Sequence, residues 1–200
     1  MAALIVSSDE SLIAAYACGD QAAFSELVQR HGDSVLGYLY HMTGNRDQAE
    51  DLFQETFKKV HEKGHTFRGE HFKSWLFTIA TRTAIDAARK GKRQATISLD
   101  QEFDCESQDG HTAGTALLAS DAPDPAEEAA REEQKTQVRQ AIEDLPVRQR
   151  ATLLLAYYQQ LSYREVARVL GCSVGTVKTQ MSRALGTLAH KLPDSVSVTK

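Results

Sequence analysis

The most constraining stretch of the sequence is residues 161–192, where the spacing of apolar and small residues predicts a helix, a short turn and a second helix. Gly171 is expected to end the first helix, because glycine adopts a left-handed backbone more readily than any other residue. Ser173 is expected to cap the second helix, because its hydroxyl can accept a hydrogen bond from a free amide of the first turn. The pattern is typical of DNA-binding helix-turn-helix units, although short helical hairpins also occur in other all-α domains.

The second helix of this pair has an apolar face and a polar face. Apolar residues recur at short intervals and predict one buried stripe, made of Val177, Met181, Leu185 and Leu188. The remaining residues are small, hydrogen-bonding or basic, as a helix that enters the major groove requires. We take as the candidate DNA-reading face Ser173, Gly175, Thr176, Lys178, Thr179, Ser182 and Arg183.

The overall net charge of −4 is unusual for a nucleic-acid-binding protein, but the charge is unevenly distributed. Residues 1–93 contain 12 Lys+Arg and 12 Asp+Glu, residues 94–134 have a net charge of −10, and residues 135–200 have a net charge of +6. The C-terminal part is therefore basic enough to contact phosphate groups.

Helical periodicity predicts an all-α chain of two small helical domains joined by a flexible acidic linker, with the helix-turn-helix in the C-terminal domain. The expected bounds are 1–93 for the first domain, 94–125 for the linker, 126–192 for the second domain and 193–200 for a C-terminal tail. The linker contains seven acidic residues and no Lys or Arg, a composition typical of disordered segments.

Within the domains the expected helices cover residues 11–18, 21–41, 47–63, 72–90, 125–145 and 147–159, before the hairpin. Gly91 is expected to end the fourth of them, and Asp124 followed by Pro125 is expected to begin the fifth.

Several classes of protein are disfavoured. No apolar run approaches the ~20 residues of a membrane span, and the N-terminus lacks a signal-like pattern, so we expect a cytoplasmic protein without membrane contact of its own. The three cysteines are widely spaced, and the sequence contains none of the common nucleotide-binding, zinc-protease or serine-hydrolase motifs. We therefore expect neither enzymatic activity nor a cofactor.

A metal site is the remote alternative. His61 and His65 are spaced to lie on one face of a helix, with His71 nearby. Because no cysteine or carboxylate group completes a ligand set, exposed histidines explain this pattern more simply, and no metal is expected.

Two further surfaces stand out in the first domain. One face of the third helix is polar and mostly acidic, and consists of Asp47, Glu50, Asp51, Gln54 and Glu55. A second region combines aromatic and cationic residues, first in Phe67, Arg68, Phe72, Lys73, Trp75 and Phe77, then in Arg82, Arg89, Lys90, Lys92 and Arg93. Aromatic rings among cations suit unstacked bases, although the rings could equally be core, as Phe77 in particular is expected to be.

The order of these motifs resembles that of bacterial RNA polymerase sigma factors of the extracytoplasmic-function (ECF) subclass of the sigma-70 family. The segment AEDLFQETFKKVHEKGHTFRGEHFKSWLFTIATRTAIDAARKGKR resembles region 2, and LPVRQRATLLLAYYQQLSYREVARVLGCSVGTVKTQMSRAL resembles region 4. The resemblance covers nearly the whole chain except the linker and the tails.

The resemblance implies a role for each surface. Asp51, Gln54 and Glu55 would bind the β′ clamp helices of core RNA polymerase, and the partners would also include the β subunit and promoter DNA. Residues implied to melt and contact the −10 element are Phe67, Arg68, Phe72, Lys73, Trp75, Arg82, Arg89, Lys90 and Arg93. The candidate DNA-reading face would recognise the −35 element. Thr83 stands where relatives often have asparagine, and an anti-sigma factor is an expected further partner.

One other function remains open at this point. The segment GTVKTQMSRAL also resembles the helix-turn-helix of LuxR-type regulators, so a stand-alone transcriptional regulator is the main alternative. Such regulators have no equivalent of the acidic helix face or of the aromatic region.

Overall fold

A computed structural model describes residues 7–69, 71–97 and 125–192 of the chain, with side chains over 7–69, 71–91 and 131–192. These ranges contain only helices and their connections, which confirms the all-α fold. The elements are α1 (Asp9–Ala17), α2 (Gln21–Thr43), α3 (Arg46–Lys63), a 3₁₀ turn (Gly64–Thr66), α4 (Phe72–Ile97), α5 (Pro125–Glu143), α6 (Val147–Tyr157), α7 (Tyr163–Leu170) and α8 (Val174–Lys191). The linker acids, Asp124 and residues 193–200 lie outside the described residues.

The N-terminal half packs α1 to α4 around a core of aliphatic and aromatic side chains. Asp20 and Asn45 cap α2 and α3 by accepting hydrogen bonds from amides of the first turn, and Gly44 ends α2 in the left-handed conformation. Phe77 is fully buried with its ring edge-on to Tyr38, at 5.4 Å between centroids. Side chains of this size each contribute roughly 1.5–3 kcal/mol when buried. Phe77 is therefore core, as its position in the sequence indicates.

The fourth helix is longer than expected. Gly91 does not end α4, which continues to Ile97. A glycine ends a helix reliably only when it takes a left-handed backbone, and in the described residues the glycines with positive φ are Gly19, Gly44 and Gly171. Elsewhere in a helix, glycine costs only about 1 kcal/mol relative to alanine, which neighbouring residues can offset.

The two halves pack directly against each other. Arg150 of α6 donates hydrogen bonds to the carbonyl oxygen of Met42 at the end of α2 (2.6 Å) and to that of Leu145 (3.2 Å), and it also contacts the carbonyl of Glu143. Burial lowers the pKa of Arg150, while Glu143 and Asp144 oppose that shift. The guanidinium thus joins the end of α2 to the turn between α5 and α6.

A second set of contacts between the halves involves the start of α4. Lys73 Nζ donates to the carbonyl oxygen of Gln159 at 2.8 Å, and Ser74 Oγ lies 3.4 Å from Glu165 Oε1 of α7. Gln159 is itself buried, and its side-chain amide donates to the carbonyl of Ser34 (3.3 Å). The first turn of α4, which lies within the aromatic region, therefore contacts the turn that precedes the helix-turn-helix and α7 itself.

His41 lies between the two halves and is expected to make the stability of the protein depend on pH. Its ring lies 5.2 Å from Tyr158 and 5.7 Å from Tyr40, and Arg139 faces it from α5. Burial lowers the pKa of His41, and the positive charge of Arg139 lowers it further. Because the unfolded chain then binds a proton more readily than the folded one, stability is expected to fall as pH drops below the ordinary histidine pKa of about 6.5.

The substitution His41→Gln tests this expectation, because it removes the titrating group and keeps a polar side chain. The free energy of unfolding should fall less between pH 7.5 and pH 5.5 in the variant than in the unsubstituted chain, as measured by urea titration at each pH. The other histidines are the same in both proteins, so the difference isolates His41. Equal pH dependence in the two proteins would contradict the assignment.

No helix within the described ranges is long and apolar enough to cross a bilayer.

Candidate nucleic-acid interface

The helix-turn-helix is built by local capping. Ser162 and Glu165 form a capping box at the start of α7: Glu165 N donates to Ser162 Oγ (3.3 Å), and Ser162 N donates to Glu165 Oε2 (2.8 Å). The hydrogen bonds from Ser162 lower the pKa of Glu165, with a further contribution from His71. This box was not anticipated, although the segment Ser-Tyr-Arg-Glu has the spacing that indicates one.

The turn itself has the expected geometry. Gly171 ends α7 with φ of 62°, in the left-handed region. Ser173 caps α8 by accepting a hydrogen bond from Thr176 N at 3.1 Å. Both predictions for the turn are confirmed, and together these caps fix the angle at which α8 leaves α7.

The buried stripe of α8 differs from the expected one at one position. Val177, Met181 and Ala184 are buried, whereas Leu185 is 52% exposed. An α-helix turns about 100° per residue, so a step of seven residues returns to within about 20° of the start and a step of eight overshoots by about 80°. Leu185 therefore lies at the edge of the polar face, and Ala184 takes the position in the core.

The candidate DNA-reading face is open to solvent. All seven of its residues are exposed, namely Ser173, Gly175, Thr176, Lys178, Thr179, Ser182 and Arg183. Thr179 Oγ1 donates to the carbonyl of Gly175 (3.0 Å), which keeps this side chain close to the helix. The charged groups of Lys178 and Arg183 form no hydrogen bond or ion pair within the part of the chain that the structure describes. Two cations are therefore free to contact a ligand on a surface without bulky side chains.

The acidic face of α3 is likewise exposed. Asp51, Gln54 and Glu55 all lie in solvent, opposite the buried Leu52 and Phe57. Glu55 forms an ion pair with Lys59 at 2.7 Å, and Lys59 Nζ also donates to Thr83 Oγ1 of α4 at 3.1 Å. Thr83 is buried and thus ties the two helices together rather than facing solvent.

Residues 67–69 and 71–75, which we call the aromatic loop, contain a cluster of three rings: Phe67 precedes α4, and Phe72 and Trp75 lie in its first turn. The ring centroid of Phe67 lies 5.2 Å from that of Trp75 and 5.9 Å from that of Phe72, and the centroids of Phe72 and Trp75 are 5.8 Å apart. Phe72 is fully buried and has no surface to offer a base in this conformation, whereas Phe67 and Trp75 remain partly exposed. The burial of Phe72 follows from its place as the first residue of α4, where its ring turns inward. Its ring packs against the two partly exposed rings.

The cations near this loop differ in accessibility. Arg68, Arg82, Arg89 and Lys90 are exposed, whereas Lys73 is partly buried and bonded to Gln159 of the other half. Arg89 is within 3.7 Å of Asp86, an exposed pair that adds little stability. The side chains of Lys92 and Arg93 lie outside the described residues. Sequence reasoning could not show that Lys73 is engaged, because its partner is 86 residues away.

The histidines of the first half do not come together as a ligand set. His61 Nδ1 lies 2.5 Å from the hydroxyl of Tyr16 on α1. Among the described residues, no group of three histidine, cysteine or acidic side chains is arranged to hold a metal ion.

Comparison with known proteins agrees with both halves of this arrangement. The family Sigma-70 region 2 matches residues 27–94, and the family Sigma-70, region 4 matches residues 135–188. The match in the first half disfavours a stand-alone LuxR-type regulator.

Two curated relatives match this chain over most of its length and most of their own. The ECF RNA polymerase sigma factor SigW of Bacillus subtilis is 33% identical over 88% of this chain and 92% of its own length. The RNA polymerase sigma-H factor of Pseudomonas aeruginosa is 32% identical over 90% of this chain and 92% of its own length.

The fold also matches the solved structure of CnrH in complex with the cytosolic domain of CnrY. The TM-score is 0.67, and the two chains are 25% identical over 94% of this chain and 99% of that one. The sigma factor RpoE of Bartonella quintana, solved with the anti-sigma factor NepR, shares the fold with a TM-score of 0.66 and 24% identity over 86% of this chain and 98% of that one. The chain therefore belongs to the ECF subclass of the sigma-70 family and is a sigma factor that directs promoter-specific transcription initiation.

Proposed function

We propose that three separate surfaces of this sigma factor divide the work of initiation. The acidic face of α3 docks on the β′ clamp helices of core RNA polymerase, the aromatic loop opens the −10 element, and α8 reads the −35 element. In this assignment residues 1–93 act as region 2, 94–125 as the linker, 126–192 as region 4 and 193–200 as a tail. The protein works in the cytoplasm as an accessory subunit without catalysis of its own.

The observation that best supports this division is that the exposed face of α3 is acidic, whereas the exposed face of α8 is basic. Asp51, Gln54 and Glu55 offer acceptors for a basic partner, whereas Lys178 and Arg183 offer donors for phosphate and base edges. Complementary charge increases the rate at which partners associate and suppresses wrong partners. Because the carboxylates of an acidic surface repel the phosphates of DNA, we assign this surface to a protein partner.

The conformation described here is a closed one. Lys73 is bonded to Gln159, and Arg150 joins the two halves. Promoter elements about 17 base pairs apart lie roughly 58 Å apart along the duplex, at 3.4 Å per step. We infer that the halves separate when the protein joins polymerase, which frees Lys73 for the −10 phosphates.

An anti-sigma factor is a proposed further partner. CnrH and RpoE were both solved with a second protein, and for RpoE that protein is an anti-sigma factor. This chain shares their arrangement of helices. We propose that a partner of this kind holds the closed form.

The assignment of the acidic face is tested by the double substitution Gln54→Ala and Glu55→Ala. Affinity for core polymerase should fall by about tenfold or more, which corresponds to the loss of about 1.4 kcal/mol expected for truncated interface residues. The fold should persist, because both side chains are exposed and a surface ion pair such as Glu55 with Lys59 contributes at most about 1 kcal/mol.

The matched control is Asp33→Ala, which removes an exposed acidic side chain on a different helix, α2. Binding to core polymerase by fluorescence anisotropy, together with thermal unfolding of each variant, separates the two effects. Unchanged affinity of the double variant, or an equal loss in the control, would show that this face is not the docking surface.

A further inference from the structure

The first helix, α1, lies outside the stretch that matches the region 2 family, yet it contacts residues just before the aromatic loop and within it. Before the loop, a side chain added at Gly64 would meet the ring of Tyr16 at 3.0 Å and Ile13 at 3.2 Å, so α1 packs tightly on the 3₁₀ turn. Tyr16 also contacts His61 in the last turn of α3, at 2.5 Å between its hydroxyl and Nδ1. The start of the loop is thus held against α1.

Within the loop, α1 contacts Phe72, the first residue of α4. Phe72 N donates a hydrogen bond to Glu10 Oε1 at 3.1 Å, across 62 positions of sequence. The first amides of a helix have no acceptor within that helix, and an acidic group near them also interacts favourably with the helix dipole. Glu10 therefore caps α4 from a different element.

The residue beside Glu10 acts on the ring of the same phenylalanine. Asp9 Oδ2 lies 2.7 Å from His31 Nε2, and the ring of His31 lies 5.6 Å from that of Phe72. Asp9 is also within 3.3 Å of Arg30, whose guanidinium donates to the carbonyl of Ser7 at 2.6 Å. Two adjacent acidic residues thus fix the backbone and, through His31, the side chain of Phe72.

Phe72 in turn supports Phe67 and Trp75, the partly exposed rings of the cluster. We propose that Glu10 is a positioning residue for promoter opening: its carboxylate fixes the start of α4, so that Phe67 and Trp75 are held where an unstacked −10 base can meet them. This inference rests on the role assigned above to the aromatic loop. Glu10 itself contacts no DNA in this scheme.

The test compares Glu10→Ala with Glu10→Gln in complete holoenzyme, on a promoter that the unsubstituted holoenzyme opens. Glutamine keeps a side-chain oxygen that can accept the hydrogen bond from Phe72 N, whereas alanine does not. The rate of −10 opening, followed by 2-aminopurine fluorescence, should fall about fivefold in Glu10→Ala, the order expected for loss of a capping bond. The opening rate of Glu10→Gln should be close to that of the unsubstituted holoenzyme. Affinity for core polymerase and for closed promoter DNA should be unchanged in both Glu10 variants.

Two further variants make the outcome unambiguous. Glu26→Ala removes a carboxylate that pairs with Arg30 but does not touch α4, and it should open DNA normally. Arg68→Ala removes an exposed cation of the loop itself and should slow opening if the loop acts on DNA. Slow opening by Arg68→Ala with normal opening by Glu10→Ala would overturn only the positioning role. Normal opening by both would overturn the role of the loop, and equal defects in the alanine and glutamine variants of Glu10 would overturn the capping bond.

Discussion

Holoenzyme in which Trp75 is replaced by alanine is expected to bind promoter DNA but to form open complexes about 10- to 100-fold less well. Stacking of a base on an aromatic ring is worth about 1–3 kcal/mol, and extruding a base from the duplex costs a few kcal/mol that such contacts must offset. Trp75 is the largest ring of the aromatic loop and keeps exposed surface while it packs on Phe67 and Phe72. Permanganate reactivity of −10 thymines measures the opening, and footprinting at low temperature measures the closed complex.

The same substitution also removes packing, because Trp75 adjoins the hydrophobic core. Trp75→Phe is the appropriate control, since phenylalanine keeps a stacking ring and most of the packing. If the residue acts through stacking, the phenylalanine variant should open DNA much better than the alanine variant at similar thermal stability. If Trp75→Ala loses opening, closed-complex formation and thermal stability in proportion, the residue is core and the stacking role is wrong.

Substitutions on the recognition helix are expected to have the second largest effect. Lys178 lies in the first turns of α8, the part of a recognition helix that contacts base edges, whereas Arg183 lies further along. Lys178→Ala should therefore weaken binding to the preferred −35 sequence by about 10- to 100-fold and relax the preference for it, since a good base contact is worth ~1–3 kcal/mol. Arg183→Ala should weaken binding to all sequences and lower the salt slope by about one, as expected for a phosphate contact.

Lys135→Ala is the matched control for these variants. Lys135 is an exposed cation of the same half of the molecule, but it lies on α5 and pairs with Glu132. Binding of holoenzyme to promoter variants over a range of salt concentrations gives both affinity and slope. A Lys135 variant that behaves like the Arg183 variant would show that α8 contributes only general positive charge.

The sequence predicts the helix-turn-helix well because its signals are local. Gly171 and Ser173 act through their own backbone and hydroxyl, within four residues of their partners. Leu185 was wrongly expected to be buried because it lies eight residues after Val177. Only a step of seven residues, which leads to Ala184, returns to nearly the same side of the helix. Gly91 was assigned wrongly because a glycine without left-handed backbone does not by itself end a helix.

Contacts across long stretches of sequence could not be predicted from periodicity. Lys73 and Gln159 are 86 residues apart, and Glu10 and Phe72 are 62 apart. Each pair depends on how whole helices pack, and no local pattern indicates it. For the same reason the sequence left open whether Phe72 is core or surface, since a ring in an aromatic cluster can be either until its neighbours are placed.

The central claim is that this chain directs polymerase to particular promoters through both regions. In vitro transcription with core RNA polymerase on a library of randomised promoters tests it most directly. We predict discrete start sites downstream of a shared pair of elements about 17 base pairs apart, with the upstream element lost when Lys178 is replaced by alanine. Transcripts that do not depend on the added protein, or an absence of specific initiation from every template, would contradict the account.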